Sequence, residues 1–425
     1  MRRRGLIAAT CALLLGLGWS AAPAGADGAA PAAADWTTTW ATAPAAAVSG
    51  VQQGYAGFTI RNVVHTTVGG NRVRVHLSNR FGTQPVLFGH VTVAVSAHKG
   101  GQRNGAIDQS NGEAVPGSVR DVLFNGRSSF TVPAGAEAIS DPVALRVRAD
   151  RDLLVSTWTP NPSGTVTYHP SAMQDSVFSR GPADHAGDES AAAFGERTRV
   201  WHYVNGVDVR GGPGTVVALG DSITDGVTST FNANRRWTDY LAARLARSQV
   251  PDYGIANSGI SGNRVLLDSH WPDYNIFQVF GPSAQTRLPE DVLDRAGART
   301  VIIFEGVNDI QQEPHQTDPE QIIAGLAQIA ARSKARGLRV IGATIMPFKG
   351  WGSWTPELET TRVAVNEWIR AGGDGALNGV ADFDAATRDP ADVARILPAY
   401  DSGDHLHPND AGDAAMAAVV PLGKL

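Results

Sequence analysis

Cysteine is nearly missing from this chain of 425 residues; the single one is Cys11. It lies in an amino-terminal segment that reads as removable, so the rest of the chain has none. A disulfide framework is excluded, and stability has to come from core packing, which ~400 residues can supply. Beyond that first segment, uninterrupted apolar runs of about 20 residues are missing too, so no transmembrane helix is expected. No basic cluster stands out, which argues against nucleic-acid and anionic-membrane partners. His405 and His407 stand two apart on a loop, without a further cluster of histidines or cysteines at zinc-ligand spacing. No Walker or dinucleotide glycine loop appears. Neither a metal nor any other cofactor is expected.

What is present is an ordinary globular balance, 43% hydrophobic and 18% charged, with 47 glycines and 24 prolines marking many turns. The length suits about two or three domains. Arg2, Arg3 and Arg4 precede an apolar stretch from Leu6 to Trp19, and Ala24-Gly25-Ala26 offers an A-x-A cleavage site. Residues 1–26 therefore read as a signal peptide cleaved after Ala26, and the protein as secreted. Arg3-Arg4-Gly5-Leu6-Ile7 loosely resembles a twin-arginine signal, which leaves the export route open. Cys11 sits early in the apolar stretch, away from the cleavage site, which argues against lipoprotein acylation. The net charge of -5 becomes -8 once the three arginines are removed.

Residues 27–35 form an Ala/Pro-rich leader. From 36 to 210 the pattern is β-like: short runs such as Phe58–Val64, Arg72–Leu77, Val91–Val95, Ser129–Val132, Val143–Val147 and Leu153–Trp158 are separated by Gly, Asn, Pro and Asp. That is the signature of an all-β sandwich or jelly roll. After Gly211-Gly212-Pro213-Gly214 the pattern changes. Apolar runs at Val216–Leu219, Thr300–Phe304, Val340–Ile345 and Gly379–Phe383 alternate with helical segments at Trp237–Ser248, Asp318–Arg336, Glu357–Arg370 and Asn409–Val419. Strand and helix alternating at this spacing predict an α/β fold over 214–425, with a parallel sheet covered on both faces.

Four short segments of this second region fall in predicted loops. Gly220-Asp221-Ser222 follows a buried strand, which lifts a serine out at the carboxyl end of the sheet, where open α/β sheets bind ligands. Asn257 to Asn263 contains Gly259 and Gly262, which let a backbone amide point into a cleft. Glu305-Gly306-Val307-Asn308-Asp309 follows another buried strand. Asp404-His405-Leu406-His407-Pro408-Asn409 precedes the last helix. A serine hydroxyl is a weak nucleophile until a base, an orienting group and oxyanion donors surround it. Ser222 offers the hydroxyl, His407 an imidazole suited to proton transfer near neutrality, and Asp404 a carboxylate to hold it. The Asn308 side-chain amide and a glycine N–H are candidate donors. Each segment alone is an ordinary turn; four of them together are hard to obtain by accident.

The set resembles the SGNH/GDSL hydrolase superfamily, whose four blocks carry a serine in GDS, a glycine, an asparagine in GxND and a histidine in DxxHP. Here they stand as GDSITDG, NSGISGN, EGVNDI and DHLHPND, in that family's order. The resemblance covers about 214–425. It implies a flavodoxin-like three-layer domain, Ser222 as nucleophile with Asp404 and His407, and an oxyanion hole of the Ser222 amide, Gly262 and Asn308. Gly262 is preferred to Gly259 because it follows an Ile-Ser pair. His405 reads as a solvated loop histidine. The longer context is similar to the branch with arylesterases and acetylxylan-type esterases.

The expectation is thus a secreted serine esterase that forms an acyl-enzyme on short-chain acyl or acetyl esters of carbohydrates or aryl alcohols. A lipase or phospholipase acting on longer acyl chains is the alternative, disfavoured because no long apolar lid is evident. A non-catalytic polysaccharide-binding protein is the alternative from another class. The partner would be a small-molecule or polysaccharide ester. Trp271 and Tyr274, after the Gly262 segment, and Trp351 and Trp354, after the strand ending near Met346, are candidate substrate contacts. Aromatics there stack on sugar rings or line an acyl pocket; their ordinary alternative is to anchor the loops by packing. The β-region is either a carbohydrate-binding module or a wall of the cleft.

Overall fold

The structure, a computed structural model, describes residues 35–98, 112–269 and 278–425, which fall in one compact unit. The expected signal peptide, its cleavage site after Ala26, Cys11, nearly all of the leader, Trp271 and Tyr274 lie outside the described residues.

Antiparallel strands come first. The main ladders are β1 (Trp36–Ala41), β2 (Phe58–Thr66), β3 (Val73–Ser78), β4 (His90–Val95), β5 (Arg151–Thr159), β6 (Ser176–Arg180) and β7 (Val204–Arg210). One sheet runs β1-β7-β3 with Glu137–Ile139 at its edge. A second runs β6-β2-β5-β4, flanked by Glu196–Thr198 and Arg120–Asp121. Val73, Val75, Leu77 and Val207 of the first sheet share a core with Ile60, Val64, Val93 and Val155 of the second. Two antiparallel sheets facing across one core are the expected sandwich. Val143–Val147 departs from expectation. Val143, Leu145 and Val147 do point inward, but the backbone pairs only at isolated bridges, Val73 with Val143 and Gly70 with Val147. Its period-two pattern reports burial rather than a continuous ladder.

The second part is a parallel sheet of β8 (Thr215–Gly220), β9 (Gly254–Gly259), β10 (Ala298–Phe304), β11 (Arg339–Ala343) and β12 (Gly379–Ala381), in the order β9-β8-β10-β11-β12. The helices are α1 (Ser222–Asp225), α2 (Trp237–Leu245), α3 (Val307–Gln311), α4 (Pro319–Ala335), α5 (Pro356–Arg370) and α6 (Asp410–Val419). Alternate strand residues feed the two faces. Val217, Leu219, Val301 and Ile303 pack with Ile322 and Ile329 of α4 and Val365 and Ile369 of α5. Val216, Ala218, Ile302 and Phe304 pack with Leu241 of α2 and Met416 of α6. Helix α4 starts as its sequence predicts: the Asp318 carboxylate accepts from Glu320 N–H at 3.0 Å, with Pro319 in the first turn.

One expectation is corrected. The segment expected as a loop, Asn257 to Asn263, begins as strand: β9 runs through Gly259 at the sheet edge. Its small residues mimic a turn in sequence but serve close packing. A Cβ on Gly254 would lie 2.2 Å from Thr38 O, and one on Gly259 2.3 Å from Asp225 N. The neighbours are β1 and α1, and β1 lies over this edge of the sheet, the usual way an exposed edge is covered. Further bonds join the two parts. Thr38 N–H donates to Thr215 Oγ1 and Ile255 N–H to Thr67 Oγ1, both at 2.9 Å. Buried Arg295 donates to the carbonyls of Asn205 at 2.9 Å and Thr42 at 3.1 Å. No helix among the described residues is long and apolar enough to cross a membrane.

The strand order reverses between β8 and β10. Their carboxyl ends therefore diverge into a crevice, the position where such sheets bind ligands.

Candidate active site

The crevice is where Ser222 sits. Gly220 ends β8, and a Cβ there would meet Thr224 Oγ1 at 2.1 Å and Phe304 O at 2.9 Å, so only glycine lets the strand end this close to β10. Asp221 then caps α1, its Oδ1 accepting from Ile223 N–H at 2.9 Å. Ser222 opens the helix, so its own N–H precedes the helical ladder.

The last loop reaches over from in front of α6. Ser222 Oγ lies 2.8 Å from His407 Nε2, and His407 Nδ1 lies 2.6 Å from Asp404 Oδ2. Asp404 Oδ1 also accepts the N–H groups of Leu406 at 2.9 Å and His407 at 2.8 Å. Burial opposes ionisation of Asp404, but the His407 ring N–H and these amides outweigh it and hold the carboxyl well below the usual range. It is therefore an anion throughout the neutral range, and it fixes the ring so that Nε2 faces the serine. Ser222 and His407 are only 6% and 9% exposed, so the proton path between them is largely shielded from water.

The other two segments meet beside this relay. Asn308, on α3, donates one side-chain N–H to Asn263 O at 2.9 Å. Its Oδ1 accepts from Gln311 Nε2 at 2.8 Å and Gln312 Nε2 at 3.0 Å. The amide is thereby oriented, with its second N–H not used in these bonds. Gly262 has φ +80°, and a Cβ there would meet the Phe280 ring at 2.3 Å, so glycine is required. Asp309, next to Asn308, accepts from the amides of Val265 at 2.7 Å and Leu266 at 3.0 Å and so ties the end of the Gly262 loop to α3. Burial pushes its pKa up to about 6.

Arg287 is the largest contributor that no sequence pattern marks. Fully buried, it donates to Gly220 O at 3.0 Å, Ser258 O at 2.7 Å, Asn263 Oδ1 at 2.9 Å and Glu305 Oε1 at 3.3 Å. One guanidinium thus links three of the four segments. Around it, burial drives Asp221 up to about 7, and burial followed by the Asp221 charge pushes Glu305 well above its ordinary value. An arginine outside any motif gives no signal of this kind; Asp309, adjacent to Asn308, read as no more than a turn acid.

Trp351 stands edge-on to the His407 ring, centroids 6.2 Å apart, and its Nε1–H donates to Gln311 Oε1 at 2.9 Å. Trp354 lies under Lys349 Nζ, 5.4 Å from the ring centroid, and donates weakly to Glu359 at 3.4 Å. Both are partly buried against the core, so packing accounts for much of each ring, while Trp351 also borders the relay of Ser222, His407 and Asp404. His405 is turned away: its Nδ1 lies 2.6 Å from Asp401 Oδ2 and its side chain is 46% exposed.

A family model described as GDSL-like lipase/acylhydrolase matches residues 218–415. No curated protein matches the chain. Solved structures similar to it include a GDSL-like lipase from Bacteroides thetaiotaomicron, 20% identical over 48% of this chain and 84% of that one, TM-score 0.35. An aryl esterase from M. smegmatis in an inhibitor-bound form is 17% identical over 48% and 94%, TM-score 0.37. A family two carbohydrate esterase from Clostridium thermocellum, in complex with cellohexaose, is 13% identical over 87% and 91%, TM-score 0.37. Residues 218–415, which hold every block of the site, form a GDSL-like lipase/acylhydrolase domain, and the chain is a carboxylic ester hydrolase.

Proposed function

We propose that this enzyme is a secreted serine esterase acting on short-chain acyl or acetyl esters of carbohydrates or aryl alcohols through an acyl-enzyme. The observation that carries the reading is the relay from Ser222 Oγ through His407 to Asp404 at the switch point of the sheet. His407 Nε2 takes the hydroxyl proton as Ser222 Oγ bonds to the ester carbonyl carbon. The Ser222 amide, the Gly262 amide and Asn308 Nδ2 receive the oxyanion. Collapse expels the alcohol, which leaves with the proton from His407. Water then attacks the acyl-serine by the same route and frees the acid. The large exposed apolar side chains among the described residues are Val115, Ile139, Leu267, Val363, Val393 and Val419, and none belongs to the four segments at Ser222. Among the described residues the four segments carry no exposed large apolar side chain, which supports short acyl groups and polar alcohols over lipid. Trp351, and Trp354 beyond it, are assigned to substrate contact; for Trp271 and Tyr274 that assignment rests on the sequence alone.

A fluorophosphonate probe should label the folded protein and fail on Ser222→Ala; a folded wild type that resists labelling refutes the nucleophile. Rates on p-nitrophenyl acetate, butyrate and palmitate should fall with chain length. A maximum at palmitate would make the enzyme a lipase instead. Export is tested separately, by the amino terminus of the protein recovered from culture medium, expected at Asp27.

A further inference from the structure

The β-sandwich part places one side chain inside the hydrolase machinery. His169 is 2% exposed. Its Nδ1 lies 2.8 Å from Ala43 O, within the same part of the chain, and its Nε2 lies 2.9 Å from Asp225 Oδ1. The ring also rests against Trp201, centroids 5.5 Å apart, which in turn meets Trp40 edge-on at 5.0 Å. The imidazole is thus fixed by its own region before it touches the second one.

Asp225 is the last residue of the helix that Ser222 opens. Its other oxygen, Oδ2, accepts from Ser261 N–H at 3.0 Å and Ser261 Oγ–H at 2.7 Å. Ser261 directly precedes Gly262. The carboxylate therefore bridges the nucleophile's helix and the strand-to-loop turn that presents the Gly262 amide, while His169 holds the carboxylate from the far side. Arg236 reinforces the joint, donating from Nε to Asp225 O at 2.8 Å and from its terminal nitrogen to Ala172 O.

We infer that His169 is a positioning residue for the oxyanion side of the site, acting through Asp225 on Ser261 and Gly262, so that the β-sandwich part sets the geometry of catalysis. This rests on the acyl-transfer reading above. A displacement of about 1 Å at a reacting centre costs on the order of 10²-fold in rate. His169→Ala should therefore lower kcat by about 10- to 100-fold. Transition-state geometry is what changes, so KM should move by less than about threefold. His169→Gln, which can offer an N–H near the Nε2 position, should recover most of the loss.

The measurement is kcat and KM on p-nitrophenyl acetate, with kcat divided by the number of fluorophosphonate-titrated sites so that unfolded molecules do not count. Wild-type kcat per titrated site in His169→Ala overturns the inference, as does a glutamine variant no better than alanine. If neither His169 variant folds, Ser261→Ala decides: it removes only the 2.7 Å bond to Asp225 and should still lower kcat severalfold, whereas unchanged kcat overturns the inference. Ser222→Ala run alongside separates the two ideas, since activity retained there sinks the acyl-transfer reading itself.

Discussion

The orientation of the Asn308 amide can be reversed by one substitution outside the four motif blocks. Gln311 is 8% exposed and donates its Nε2–H to Asn308 Oδ1 at 2.8 Å, while its Oε1 accepts from Trp351. Gln311→Glu keeps the acceptor for Trp351 and replaces the donor with a second carboxylate oxygen. That oxygen would face Asn308 Oδ1 across a hydrogen-bond distance. Leaving a buried carbonyl against an acceptor costs ~1–3 kcal/mol, and more against a charge. Turning the Asn308 amide over relieves it, because a charge-assisted bond to the new carboxylate is worth ~1.5–3 kcal/mol. The turn breaks the bonds to Asn263 O and Gln312, worth ~1 kcal/mol each. The two states are thus close in energy, and both impair the donor: one strains it, the other replaces it with a carbonyl oxygen. Loss of one oxyanion donor costs ~10²–10³ in turnover. Gln311→Glu should lower kcat by about 10²-fold with KM nearly unchanged. Gln311→Leu, which deletes the bond but leaves Gln312 in place, should cost about tenfold or less, a single neutral bond. Steady-state turnover of p-nitrophenyl acetate per titrated site measures both. A glutamate variant as active as the leucine variant, or as wild type, refutes the idea that Gln311 sets the amide.

Other outcomes follow from the same geometry. Gly262→Ala places a methyl 2.3 Å from the Phe280 ring at φ +80°, and should leave labelling of Ser222 slow and kcat reduced by about 10²-fold, read by stopped-time probe labelling. Arg287→Met removes the ion pair of buried Glu305, takes one of three arginines from Asp291 and frees the carbonyls of Gly220 and Ser258; a loss of about 3–5 kcal/mol is expected, seen as a lower urea midpoint. The raised Asp221 carboxyl binds its proton more tightly folded than unfolded. Its contribution is favourable below the unfolded value near 4 and is lost as pH rises toward about 7. Asp221→Asn should therefore raise the melting temperature relative to wild type more at pH 8 than at pH 5; an equal offset at both would contradict the assignment. Asp404 has the opposite sign: its stabilisation is present above the ordinary carboxylate value and fades only as pH falls below it.

Much of the hydrolase part was legible because its signals are local. A buried apolar run, a glycine that permits close approach, a capping acid and a hydroxyl all lie within Val216 to Ser222, and the cap and N1 proline of α4 obey rules that need no tertiary partner. The four blocks pointed to Ser222, Asp404 and His407, which the fold brings within hydrogen-bond distance of one another. Local signals also misled where packing dictated the residues. Gly259 read as a turn glycine, yet it lies in strand β9 because α1 presses against it. Val143 to Val147 alternated like a strand and made only isolated bridges.

The amino-acid sequence by itself determined the candidate chemistry: a serine, a histidine and an acid at positions that α/β topology brings to one end of a sheet, because strand-to-turn signals act over a few residues. Tertiary structure alone decided what holds that chemistry in register. Arg287 reaches Gly220 across 67 residues and His169 reaches Asp225 across 56, through bonds that exist only once the chain has folded. A buried arginine or histidine looks like any other until the carbonyl or carboxylate it satisfies is in place, since burying a polar group is favourable only against its partner.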